Sequence, residues 1–374
     1  LALSLANIAD IFAGDTTLYF VTNVSEATIA QPDDHKHISH LAQYYTEKQA
    51  NLIISTLRNI GFTVVPFFSE TEFLEYMTAG TPVKSPNRFQ LVYTTAEGGT
   101  GSARRALIPK AGALFGLPSC NSGAYGSSLA RHKYDAIVLA RHNGVSVPQT
   151  WLYSNRSGWR GRHAPPAGRH VILKPNHESS AIGVSNSSVV EADGKLETLC
   201  AEISEKWDRD VIIQEFIRGT EIAVPVVEVE NFHICPLVGF GSRQHPVRGK
   251  RFRTLSYEIS EKAKTFYPPN TFSGPLLDSI AHNAIRAFEA VDLSVLGRID
   301  MRIDPDGGIF VFDINESPPP LPDTAFLYSM SQLNCDYENT LKLVMGLNLY
   351  KHFPQCTGYI SDQYCSSHNG KARP

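Results

Sequence analysis

Gly297-Arg298-Ile299-Asp300 and Phe312-Asp313-Ile314-Asn315-Glu316-Ser317-Pro318 flank the stretch Pro305-Asp306-Gly307-Gly308. Asp-Gly between alternating apolar residues is the strongest short-range hairpin signal. It constrains this chain more than any other segment. A two-residue turn centred on Asp306-Gly307 pairs Asp300 with Asp313 and Arg298 with Asn315. Strand side chains alternate, so these four share one face. Ile299, Met301, Ile303 and Ile314 fill the other, with Phe310 and Phe312 there or on its flanks. Two carboxylates, an amide and a guanidinium on one sheet face are costly without a partner. Hard oxygen donors suit Mg²⁺, which is held by one or two carboxylates together with substrate phosphates. A surface hairpin with cross-strand ion pairs accounts for the pattern equally well.

The chain has 374 residues, 42% hydrophobic and 19% charged. That is enough for a sizeable core divided into two or three subdomains. A net charge of -3 without a long basic tract argues against a nucleic-acid partner. No apolar run reaches the roughly 20 residues of a membrane helix. The opening Leu1-Ala2-Leu3-Ser4-Leu5-Ala6 lacks a basic flank and does not read as a signal peptide. The six cysteines form no CxxC pair and are expected as buried thiols of a cytoplasmic protein, with a Cys356–Cys365 pairing as the lesser alternative.

Three zones follow along the chain. Strands at Thr17–Thr22 and Thr63–Phe68 enclose a long amphipathic helix, Ile38 to Asn59, that Gly61 ends. This spacing predicts a parallel βαβ unit. Another strand, Arg88–Tyr93, feeds a glycine-rich loop at 94–101, with a helix over Ala103–Phe115. Such an open α/β domain binds ligands beyond the carboxyl ends of its strands. The second zone carries a helix at Lys133–His142, strands at Val147–Tyr153 and His170–Lys174, and an exposed loop from Ser154 to Gly168. The third begins at Val211 and carries the hairpin, and a polar tail beyond Phe353 is expected to be peripheral.

Two further segments carry chemistry. Val171-Ile172-Leu173-Lys174-Pro175 is an apolar strand ending in lysine, followed by Asn176-His177-Glu178-Ser179-Ser180-Ala181-Ile182-Gly183. Small hydroxyl residues and glycine let backbone amides approach phosphate oxygens, and the lysine supplies a point charge. The phosphate motifs GxxxxGK[ST] and GxGxxG are both absent. Then Gln214-Glu215-Phe216-Ile217-Arg218-Gly219-Thr220-Glu221 follows a β-rich run. Its edge suits an adenine, and the later carboxylate suits ribose hydroxyls. Taken singly, each segment also reads as an ordinary loop.

Together, Lys133 before its helix, Lys174-Pro175 with its serine loop, Gln214 to Glu221 and the Arg298/Asp300/Asp313/Asn315 hairpin resemble, in order and spacing, the ATP-grasp superfamily. The similarity lies with its D-alanine–D-alanine ligase-like branch and runs from about Gln90 to Met330. Earlier pieces also look similar: Glu97-Gly98 with Gly101 and Arg104, Ile108-Pro109, and Gly116-Leu117-Pro118.

The resemblance implies an α/β ATP-grasp fold: an N-terminal open parallel α/β domain over 1–126, a central subdomain over 127–215, a C-terminal catalytic subdomain over 216–352 and a tail over 353–374. It places Lys133, Lys174 and Ser180 on the ATP phosphates, with Ala181 replacing a neighbouring hydroxyl. Gln214, Glu215, Phe216 and Ile217 fall on the adenine linker and Glu221 on the ribose acid. Asp300, Asp313 and Asn315 match the Mg²⁺ ligands (Mn²⁺ being the alternative), with Asp313 where the family has glutamate. Arg298 matches the arginine that stabilises the acyl phosphate and tetrahedral species. Glu97, Ser317, Tyr328 and Ser329 are candidates for the substrate pocket.

Departures are visible too. Pro319 stands where the family has a glycine N–H on the oxyanion, and proline has none. Asn23-Val24-Ser25-Glu26 only loosely matches the family's substrate loop, which weakens D-alanine as substrate. The basic segment 241–264 suits a lid over phosphates and a solvated loop equally. The expected reaction joins a small-molecule carboxylate to an amine with ATP, in a homodimer by resemblance. Another ATP-grasp chemistry, carboxylation or phosphorylation, and a non-catalytic nucleotide-binding protein are the alternatives.

Overall fold

The computed structural model describes residues 2–25, 43–79, 85–99, 101, 103–178, 181–229, 232–242, 264–268, 272 and 274–359. The N-terminal sheet is built from β1 (Thr16–Val21), β2 (Thr63–Phe67) and β3 (Phe89–Thr94), in the order β2-β1-β3 and parallel throughout. β1 lies in the middle and every residue of it is buried, as a strand covered on both faces requires. The crossover helix is shorter than the sequence reading, running Glu47–Ile60 rather than from Ile38. Thr46 and Gln49 form a reciprocal capping box that starts it, and Gly61 ends it at φ 115°. Residues 38–42 of the expected helix lie outside the described residues.

The central sheet holds β4 (Thr150–Ser154), β5 (Gly158–Trp159), β6 (His170–Pro175), β7 (Val189–Glu191) and β8 (Val211–Glu215) in the antiparallel order β5-β4-β8-β6-β7. The loop expected over 154–168 therefore contributes a short edge strand, with the Trp159 ring on Tyr153 at 5.2 Å. The third sheet takes β9 (Thr220–Val229), β10 (Phe232–Ile234), β11 (Val238–Ser242), β12 (Lys264–Tyr267), β13 (Leu296–Ile303) and β14 (Ile309–Asn315). Its order is β12-β11-β9-β13-β14, with β10 paired to β9. The helices Lys133–His142 and Pro275–Ala290 cover its inner face, burying Ile222, Val224, Ile299, Met301 and Ile314.

The chain closes on itself. The helix Tyr337–His352 lies beside the helix Ala2–Phe12 and joins the core of the N-terminal sheet. The Phe353 ring packs tilted against Phe89, centres 4.9 Å apart, and Cys356 is fully buried. The first residues of the expected peripheral tail therefore belong to that core. Cys120, Cys200, Cys235, Cys335 and Cys356 are free thiols, and Cys365 lies outside the described residues. No described helix is long and apolar enough to cross a membrane.

Candidate active site

The hairpin sets the register of the site. β13 and β14 pair Arg298 with Asn315 and Asp300 with Asp313, which is the expected pairing reached by a different turn. Beyond Asp300 the register slips by one, so Phe312 is an extra residue, and the strands close at Ile303 opposite Ile309. The connection is five residues long. The Asp304 side chain organises it by accepting from the N–H groups of Asp306 (3.0 Å) and Gly308 (2.6 Å). The bulge absorbs the difference between a two-residue and a five-residue turn, and the polar face is preserved.

On that face Arg298 forks onto Asp300, with Nε to Oδ1 and Nη2 to Oδ2 both at 2.8 Å. Asn315 Nδ2 donates to Asp300 Oδ2 at 3.2 Å. Lys133, the first residue of its helix, reaches Asp313 Oδ1 at 2.5 Å. The buried Asn176 holds that helix start, since its carbonyl accepts from Lys133 N (3.2 Å) and its Oδ1 from Tyr134 N (2.9 Å). Asn176 follows Lys174-Pro175, so one residue ties both lysines to a common frame. Lys174 is buried, with Nζ 5.2 Å from the centre of the Phe312 ring.

Burial lowers the Lys174 pKa to about 8; Asp313 opposes this and Lys133 reinforces it. Burial alone would raise Asp313, but Lys133 first and then Lys174 hold its carboxyl below the ordinary value. Asp313 Oδ2 and Asn315 Oδ1 accept no hydrogen bond among the described residues. The open oxygens of Asp313 and Asn315, beside an Asp300 carboxylate that accepts from Arg298 and Asn315, are of the type that suits a hard divalent cation.

The linker runs beside this face. Phe216 N donates to His170 O at 2.9 Å and Glu215 N to Gln149 O at 2.8 Å. The Glu215 carboxylate turns to Arg169 at 2.6 Å, so this residue offers the site its backbone. Gln214 is 1% exposed, yet neither Oε1 nor Nε2 has a partner. Buried polar groups are rarely left unpaired, and a carboxamide can pair with both N6 and N7 of adenine. Glu221 Oε2 accepts from Arg302 Nη2 at 2.8 Å, and Ile217 O from Arg302 Nη1 at 3.0 Å.

The model of the D-ala D-ala ligase C-terminus family matches residues 155–342, half of the chain. This chain is an ATP-grasp ligase of that family. It is similar to a Sinorhizobium fredii protein described as uncharacterized protein y4sG, 24% identical over 70% of this chain and 76% of the relative. It is also 23% identical to a D-alanine–D-alanine ligase of Nitrosospira multiformis, over 79% of this chain and 89% of the relative. Among solved structures, the D-alanine–D-alanine ligase of Bacillus anthracis complexed with ATP aligns with a TM-score of 0.65 at 16% identity, covering 90% and 98% of the two chains. The VanG D-Ala:D-Ser ligase of Enterococcus faecalis aligns with a TM-score of 0.62 at 17% identity, covering 89% and 99%. At such identities the structural likeness speaks for the fold.

Two of the candidate substrate residues are engaged within the chain itself. Ser329 is fully buried and donates to Ala325 O at 2.8 Å within its own helix, so it does not open on a pocket. Glu97 is engaged by three guanidinium groups, those of Arg104, Arg105 and Arg131. Ser317 lines a small cavity with Thr95, Arg105, Asn121, Ser122 and Glu316. Tyr328 is half-buried against Phe266, ring centres 5.8 Å apart. Ser180 and most of the basic segment, 243–263, lie outside the described residues. Arg302 and Asn176 escaped the sequence reading. Arg302 follows Arg298 and Asp300 at the same two-residue spacing, so strand alternation alone would have found it.

Proposed function

We propose that this ligase activates a substrate carboxylate with the γ-phosphate of Mg²⁺-ATP and passes the acyl group to an amine, yielding an amide, ADP and phosphate. One observation carries the reading: a single sheet face holds Arg298, Asp300, Asp313 and Asn315, with Lys133 against it and Lys174 at its Phe312 flank, and it continues into the linker at Glu221. Asp300, Asp313 and Asn315 would hold Mg²⁺, which neutralises charge on the transferred phosphoryl group. Lys133 and Lys174 place two cations beside the phosphate oxygens. The carboxylate attacks phosphorus, the bond to ADP breaks, and an acyl phosphate forms. The amine then displaces phosphate, and Arg298 bears the oxyanion of the tetrahedral species.

The unpaired amide of Gln214 supports an adenine at the linker, and Glu221 supports the ribose. The substrates are amino acids or similar small carboxylates and amines, in keeping with the relatives' names. Pro319 favours a second reading, nucleotide binding without ligation, because Pro318, Pro319 and Pro320 offer no N–H to an oxyanion. Incubation with Mg-ATP and mixed D- and L-amino acids decides between them. Ligation predicts ADP release only with amino acids present, together with a condensed mass. ATP binding without amino-acid-dependent turnover would favour the second reading.

A further inference from the structure

Arg302 continues the functional face of β13 by one step beyond Asp300 and stands opposite Glu221 of β9 in the ladder. Its guanidinium makes three contacts at once. Nη2 donates to Glu221 Oε2 at 2.8 Å, Nη1 donates to the Ile217 carbonyl at 3.0 Å, and Cζ lies 4.7 Å from the centre of the Phe216 ring. One planar fork therefore joins the acid to the linker across Arg218-Gly219. The crossing has no slack, because a Cβ on Gly219, at φ +137°, would lie 1.9 Å from the Ile303 carbonyl oxygen. The pair is mostly buried, with side-chain exposures of 12% for Arg302 and 16% for Glu221. Glu221 Oε1 accepts no hydrogen bond among the described residues.

We propose that Arg302 is a positioning residue for the nucleotide sugar, holding Glu221 with Oε1 free to accept from the ribose hydroxyls. The inference rests on the nucleotide reading of the linker given above. An unrestrained glutamate samples several rotamers, and ordering it opposes binding. Arg302 orders it in advance and fixes its distance from the Phe216-Ile217 backbone, so base and sugar are read from one rigid edge. A lysine would keep the charge but could not span both oxygens with a planar fork. The consequence is selectivity for the 2′-hydroxyl.

The test is equilibrium binding of Mg-ATP and Mg-2′-deoxy-ATP to the wild-type protein, Arg302→Met and Arg302→Lys, with thermal unfolding as the fold control. The wild type is expected to prefer ATP by about tenfold or more, the worth of a hydrogen bond to a charged group. Arg302→Met is expected to lose most of that preference, chiefly by weaker ATP binding, and Arg302→Lys to recover affinity more than preference. A folded Arg302→Met protein with the wild-type preference overturns the proposal and leaves the nucleotide site standing. If Arg302→Met does not fold, an undiminished preference in Arg302→Lys overturns it. A folded wild type that binds no ATP overturns the nucleotide reading as well.

Discussion

Lys174 lies buried beside Asp313 and Lys133 on the proposed phosphate side of the site. Burial puts its pKa at about 8, so its positive charge is present at neutral pH and is lost as pH rises through that value. ATP affinity measured calorimetrically at fixed Mg²⁺ is expected to fall between pH 7 and pH 9. Lys174→Met should bind ATP weakly and lose that slope. A wild-type affinity that is flat over this range would mean Lys174 does not meet phosphate. Asp300 offers the complementary test. Residues one step removed from a metal change activity by about 10–100-fold, so Asp300→Asn, which would alter a direct ligand in the proposed Mg²⁺ site, is expected to cost more than about 100-fold in turnover. Unchanged turnover in folded Asp300→Asn would sink the metal assignment.

Elements explain why the site is partly legible in the sequence. Strand alternation and the Asp-Gly signal were enough to put Arg298, Asp300, Asp313 and Asn315 on one face. The turn itself was misread, because Asp304 gathers two backbone N–H groups and lengthens the connection. The bulge at Phe312 then restored the expected pairing. That bulge also moved Phe312 out of strict alternation and under Lys174, a contact no local rule predicts. Conversely, the helix expected from Ile38 begins only at the Thr46 cap, where the reciprocal hydrogen bonds of Thr46 and Gln49 fix its first turn. Gly219 makes an element-scale prediction. Alanine there would drive a Cβ into the Ile303 carbonyl, so Gly219→Ala should cost about 1–3 kcal/mol in urea unfolding, the range for overpacking. A cost below about 0.5 kcal/mol, the usual surface value, would show that the linker is not pinned to the end of β13.

At the scale of the whole molecule, a buried charge network joins the three sheets. Glu97 comes from the loop after β3, Glu178 from the loop after β6 and Glu316 from the end of β14. Arg104 links Glu97 to Glu178, and Arg105 links Glu97 to Glu316 at the other end. The long-range links were not legible locally, since Glu178 and Glu316 lie far along the chain from Arg104 and Arg105 and ion pairing carries no periodicity. Burial would raise the Glu178 carboxyl, but Arg104 and then Arg131 hold it below its ordinary 4.5. Its contribution to stability is therefore whole above about that pH and is lost as pH falls below it. Breaking a buried pair by removing one partner costs about 3–5 kcal/mol, so Glu178→Gln should lose stability of that order at pH 7. It should also show a shallower loss on acidification than the wild type. A cost below about 1 kcal/mol, the worth of an exposed pair, would mean that the network does not hold the three sheets together.

The proposed ligase transfers a phosphoryl group to a substrate carboxylate on the Arg298–Asp300–Asp313–Asn315 face. This transfer is tested most directly by supplying amino acids labelled with ¹⁸O in their carboxylates, together with Mg-ATP, and weighing the phosphate released. An acyl phosphate requires one carboxylate oxygen to leave with phosphorus, so the phosphate is expected to carry one ¹⁸O per turnover. Amino-acid-dependent release of unlabelled phosphate would contradict it.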